Sequence, residues 1–209
     1  MPKKIAPSFF FIGNHLALDF INTKVVADRK PVELLQTSDD VWNWLTLTGL
    51  YTAEQADAVS AWREGQTLAE EAVELRASMH ALVRQGMQGA EAAQEDLERM
   101  NRFLTRKVIT TKLLEKGGRF ASERHVEFRQ PNDLLLPVAE AAADLLTNYD
   151  LKLIKKCENP DCVLYFYDNS KNGTRRWCSQ KTCGNRMKVA AYLERRKREG
   201  AEASKYPGS

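Results

Sequence analysis

The first 156 residues contain no cysteine, and all four in the chain, Cys157, Cys162, Cys178 and Cys183, lie in the C-terminal segment. A secreted disulfide scaffold is normally shorter and denser in cysteine, so that class is not expected, although two disulfides would suit an oxidising compartment. No apolar run approaches the roughly 20 residues that cross a bilayer. The stretch MPKKIAPSFFFIGNH has too short an apolar part for a signal peptide, and Gly13, Asn14 and His15 close it. A soluble, cytoplasmic protein without membrane association is expected. Histidine is scarce as well: His15, His80 and His125 all fall outside the cysteine segment, so a catalytic thiol there lacks its base. Neither a nucleophile–base set nor a phosphate loop is recognisable, and no enzymatic activity is expected. There is no internal repeat and no long low-complexity linker.

Charge is uneven along the chain. The net charge is +3, yet residues 1–150 hold 17 Lys+Arg against 22 Asp+Glu, while residues 151–209 hold 14 against 6. An acidic part followed by a basic one predicts different partners for the two. A basic stretch is also what a solvated face looks like, and it is a footprint rather than a site.

Residues 1–150 read as a mainly helical domain. TSDDVWNWLTLTGL offers Thr37 or Ser38 as N-cap and Gly49 as a stop. TAEQADAVSAWREG repeats that grammar with Thr52, Gln55 and Gly65. TLAEEAVELRASMHALVRQG places Leu68, Leu75, Met79, Leu82 and Val83 on one helical stripe. A further helix is predicted from about Ala90 to Lys107, then a β-hairpin around Gly117-Gly118, then a helix from Asn132 or Asp133 with Pro137 tolerable only in its first turn. Near the N-terminus, a strand over Phe9–Ile12 would lead into a helix carrying Leu16, Asp19, Phe20 and Thr23, with His15 and Asp19 on one face and His15, Asp19, Asn22 and Thr23 as polar groups close together. These four polar groups are either a small-ligand site or caps and core hydrogen bonds.

The cysteine spacing is C-x4-C-x15-C-x4-C. Two close pairs separated by a loop are what a tetrahedral ion needs, and four thiolates close the shell of one structural Zn²⁺. A redox pair would favour C-x-x-C, which is absent. Asn159-Pro160-Asp161 reads as a turn, VLYFYD as a strand, NSKNG as a second turn and RRWC as a return strand; Cys183-Gly184 then opens a helix to about Glu199. The expected fold is therefore mainly α with a small β-hairpin: a helical N-terminal domain (1–150), a C-terminal treble-clef-like zinc finger (151–199) and a flexible tail (200–209).

CENPDCVLYFYDNSKNGTRRWCSQKTCGNRMK resembles the CGNR zinc finger, with Cys183-Gly184-Asn185-Arg186 supplying the motif. LALDFINT followed by VWNWLTLTGL resembles the ABATE region that accompanies this finger in a bacterial family associated with stress-induced transcription regulation. Together the resemblances cover the chain to about Gly200. They imply a helical N-terminal domain and a zinc-binding, DNA-recognising C-terminal module.

On a helical wheel, Asn185, Lys188, Tyr192, Arg195 and Arg196 share one face, and Met187, Val189, Ala190 and Leu193 lie on the other. Lysine and arginine neutralise phosphates, and asparagine can read adenine. Lys171, Arg175, Arg176 and Lys181 add charge nearby, although Arg176 and Trp177 could pack inward. Arg186 projects to the apolar side and is expected to lock the finger to the rest of the chain through a carboxylate or carbonyls. RNA binding through Tyr165, Phe166 and Tyr167, and a protein-interaction adaptor, are the alternatives. The N-terminal domain is expected to sense a ligand or to form a homodimer.

Overall fold

The computed structural model describes residues 8–51, 67–105 and 108–205. The helix expected around Thr52–Gly65 lies outside the described residues. Helices dominate. In chain order the elements are α1 (Leu16–Ile21), β1 (Lys24–Ala27), β2 (Lys30–Glu33), α2 (Ser38–Leu47), α3 (Thr67–Gln88), α4 (Gln94–Leu104), β3 (Val108–Lys116), β4 (Arg119–Glu127), α5 (Leu136–Asn148), β5 (Ile154–Lys156), β6 (Tyr165–Tyr167) and α6 (Asn185–Lys205). Three two-stranded antiparallel ribbons replace any larger sheet among these residues. No described helix is long and apolar enough to cross a membrane.

Local chemistry explains most boundaries. Thr37 caps α2 in a box with Asp40, each side chain serving the other's backbone N–H. Pro131–Leu135 forms a 3-10 turn, so the α-helix starts only at Leu136 and keeps Pro137 in its first turn. The expected hairpin is present, with Lys116 paired to Arg119 across Gly117-Gly118. Sequence reading misses the hairpin β1–β2. Its two-residue loop, Asp28-Arg29, takes positive φ at 51° and 63°, without the glycine that usually marks such a turn.

Phe9–Ile12 is not a strand, contrary to expectation. Its end is held by side chains instead: Asp19 Oδ1 accepts from the N–H groups of Ile12 (2.9 Å) and Gly13 (2.7 Å). Gly13 is needed there, since a Cβ would lie 2.8 Å from Leu18 Cβ. Thr23 falls just beyond α1 rather than on it.

Two apolar clusters form. The larger gathers Leu18, Phe20, Trp44, Leu45, Leu75, Met79, Leu135 and Leu145, all fully buried, and also takes in Ile154 and Tyr165 of the C-terminal segment. The smaller joins Val25 and Leu34 to Leu164, Phe166, Cys157, Cys178 and Cys183. The metal-ligating segment therefore shares both clusters with the N-terminal part.

Candidate metal centre

Cys157 follows β5 and Cys162 precedes β6, so a tight turn between paired strands presents the first two sulfurs. Asn159 makes that turn: its carbonyl accepts from Cys162 N–H at 2.9 Å and its Oδ1 from Asp161 N–H at 3.1 Å. Cys178 and Cys183 come from the other side, the latter in a π-type turn (Gln180–Gly184) that feeds α6. This arrangement corrects the expected strand pairing. The hairpin is β5 with β6, and Arg175–Cys178 returns as an irregular segment rather than a strand.

The four Sγ atoms all lie within 4.8 Å of one another. Cys162 and Cys178 are 3.7 Å apart, and Cys178 and Cys183 3.6 Å. A tetrahedral shell with Zn–S bonds of roughly 2.3 Å requires S···S separations of about 3.8 Å, so the donor set fits that ion. Asn159 Nδ2 donates to Cys183 Sγ at 3.2 Å and Cys178 N–H to Cys157 Sγ at 3.4 Å, the outer-shell donors that steady thiolates. The hydrogen bond between Cys178 and Cys162 holds the Cys162 thiol down at about 5 and pushes Cys178 far up. Burial pushes the Cys157 thiol up. Packed this closely, the thiols do not all ionise unless a cation neutralises them. The four sulfurs form a metal-binding site whose geometry suits a four-coordinate ion.

Of the four candidate ligand-site residues, each polar group meets the protein. Asn22 is buried and acts as a false strand: its Nδ2 donates to Tyr165 O and its Oδ1 accepts from Tyr165 N–H, both at 2.8 Å. Thr23 Oγ1 donates to Phe20 O and accepts from Arg76, which is paired to Glu33 through both guanidinium nitrogens. His15 Nδ1 accepts from Ala17 N–H and caps α1, and its ring meets Tyr149 edge-on. Asp19 binds the preceding loop, as above; burial raises its carboxyl. The capping reading describes these contacts.

Two arginines make contacts other than those expected of them. Arg175, predicted to face a nucleic acid, is the lock. Its guanidinium donates to the carbonyls of Trp177 (3.0 Å), Ile12 (3.1 Å) and Cys178 and lies 4.1 Å from the Phe166 ring centroid. Arg186, predicted to be the lock, is exposed and makes no hydrogen bond or ion pair among the described residues. The wheel correctly puts it beside Val189 and Leu193, but no described residue covers that face, where Val189 is 58% and Leu193 53% exposed. Arg176 pairs with Glu158 and lies over half-buried Trp177. Sequence reading missed Asp168, a fully buried carboxylate. It binds Ser170, the Arg175 N–H (2.9 Å) and Lys155 Nζ (2.6 Å), and so pins the loop that leads to Cys178. Burial opposes its charge, but Lys155 and these donors hold the carboxyl well below the usual range.

The comparison with known families follows this division. A family model described as "Putative stress-induced transcription regulator", ABATE, matches residues 14–149. The chain belongs to the ABATE family. The CGNR zinc finger model matches residues 154–196, a span that contains all four cysteines. A search of curated proteins finds no match. Within the CGNR finger, Lys171, Lys181, Asn185, Lys188, Tyr192, Arg195 and Arg196 are exposed. Asn185 Nδ2 returns to Lys181 O, and Arg196 reaches Tyr192 Oη at 3.4 Å. Every residue from Lys188 to Glu199 is exposed, and α6 continues to Lys205, past the expected end at Glu199. Tyr165 and Phe166 are buried and Tyr167 is half-buried against Tyr149, which leaves little ring surface on β6 for stacking bases.

Proposed function

We propose that this protein is a zinc-dependent, DNA-binding transcription regulator of the stress-response type, acting in the cytoplasm without catalysis of its own. One observation carries the reading. A solvent-exposed basic helix springs directly from the turn that carries the last ligand, Cys183, of a largely buried four-cysteine site. The zinc ion supplies folding energy and fixes the start of α6. The residues then divide the work: Lys171, Lys181, Lys188, Arg195 and Arg196 neutralise phosphates, and Asn185, at the helix start, reads a base edge once its Nδ2 exchanges Lys181 O for the base.

Five phosphate contacts give a log–log salt slope of about −4.5, so duplex affinity should fall roughly 500-fold between 50 and 200 mM salt. Fluorescence anisotropy with a random-sequence duplex measures this, with and without prior zinc removal. Binding that ignores salt, or survives complete removal of the metal unchanged, sinks the reading. A protein-interaction role has one observation in its favour, the exposed Val189 and Leu193. It predicts that Lys188→Ala leaves partner capture intact while duplex binding is absent altogether.

A further inference from the structure

A cavity of about 390 Å³ opens between α3, the β1–β2 hairpin and the finger. Its walls include Val25, Val26, Pro31 and Val73, with Val163 and Tyr165 contributed by the finger. That size and mixed lining belong to the range of small-molecule sites. Two of its polar groups have no hydrogen-bond partner among the described residues: the ring nitrogens of His80 and the Tyr165 hydroxyl, whose rings meet edge-on at 5.2 Å. Lys24 and Arg76 line the same cavity. Arg76 is spoken for by Glu33, but Lys24 makes no close ion pair, and the side chains of Arg84 and Lys156 make none at all among the described residues. Burial holds the His80 imidazole below its ordinary range, and Arg84, Arg76, Lys156 and Lys24 all reinforce this. Among the described residues, Glu33 is the carboxylate that lies against this group of cations, paired to Arg76 and opposite Lys24 across the β1–β2 ribbon. A cavity with an apolar wall, positive surroundings and two idle polar groups is built for an anion with a hydrocarbon body.

We propose that this cavity binds a small organic anion, with its apolar body against Val25, Val26 and Val73 and its charged end toward Lys24, His80 and the Tyr165 hydroxyl. The site differs from the quartet on and after α1, whose polar groups are occupied internally. Because Tyr165 and Val163 lie in the finger and the rest of the wall does not, an occupant bridges the two parts. This makes the site an effector position for the regulator proposed above. Only that last step depends on the DNA-binding reading; the binding itself does not.

The test uses the full chain, loaded with metal and followed by NMR of the His80 and Tyr165 rings. The probes are benzoate, hexanoate and phenylphosphonate, with neutral benzamide as the isosteric control. At least one anion should shift both rings saturably and bind tenfold or more tightly than benzamide. Lys24→Gln should weaken it several-fold. Ala77→Trp, which fills the cavity from an exposed wall position, should abolish the shifts while leaving the rest of the spectrum in place. The proposal is overturned if benzamide binds as well as the anions, if Ala77→Trp binds like the wild type, or if no anion binds below about 10 mM, a threshold above the millimolar range of weak fragments.

Discussion

Replacing Asp168 with asparagine keeps its shape and removes its charge. The effect can be worked from its contacts. Oδ1 accepts from the N–H and hydroxyl of Ser170, and an amide oxygen can keep both bonds. Oδ2 accepts from Lys155 Nζ at 2.6 Å and Arg175 N–H at 2.9 Å. An amide nitrogen there faces two donors with a donor. Removing one partner of a buried ion pair costs about 3–5 kcal/mol. Lys155 is 31% exposed and can recover some hydration, whereas Asp168 is fully buried. The lower end, about 3 kcal/mol, is therefore expected. Denaturant unfolding of the metal-loaded protein reads this directly. Since the pinned loop delivers Cys178, metal extraction by a chelator should also quicken, by about a hundredfold if the whole loss falls on opening of the finger. Ser170→Ala, which loses only the hydroxyl bond, should cost about 1 kcal/mol. The double variant Lys155→Met with Asp168→Leu should regain part of the loss, because neither charge is then left alone. A loss below about 0.5 kcal/mol in Asp168→Asn, within the range of ordinary surface changes, with unchanged metal extraction, would refute the account.

Other expectations can be checked alongside. Asn22→Ala leaves the buried N–H and C=O of Tyr165 without partners and should cost about 2–4 kcal/mol in denaturant unfolding. Arg175→Ala should lower the melting temperature and speed metal loss, whereas Arg186→Ala should stay within about 0.5 kcal/mol of the parent. His80 titrates lower when folded than when unfolded, so its neutral form favours the fold. Its contribution is complete above the unfolded value of about 6.5 and is lost as pH falls below it. His80→Gln should accordingly flatten stability measured from about pH 7 to 5, and an unchanged slope would discount that burial.

The parts that sequence revealed share a physical property: they are written in local spacing. The paired cysteines, the Thr37 cap, the Gly117-Gly118 hairpin and the α3 stripe each depend on residues within a turn or two of one another. What it concealed depends on contacts from afar. A helical wheel places Arg186 on the apolar face of α6, but it cannot say that no described residue covers that face. It equally cannot say that Ile12, distant in sequence, offers its carbonyl to Arg175. Asp168 looked like an ordinary loop acid because its lysine partner sits 13 residues earlier on β5. The β1–β2 hairpin was hidden by a turn whose left-handed residues are Asp28 and Arg29 instead of glycine. For the small-ligand residues the sequence leaves two readings side by side, and only tertiary contacts show where Asn22 and Thr23 spend their hydrogen bonds.

Val25 and Leu34 pack among the sulfur-bearing residues, and Asn22 completes the edge of β6. A fragment cut just ahead of Leu151 would leave that sulfur cluster half wet and the β6 edge unpaired. The finger is thus no detachable cassette. An engineer wishing to change the surface it presents should rewrite the outward side chains of α6 in place, because a transplanted finger would leave part of its own interior behind.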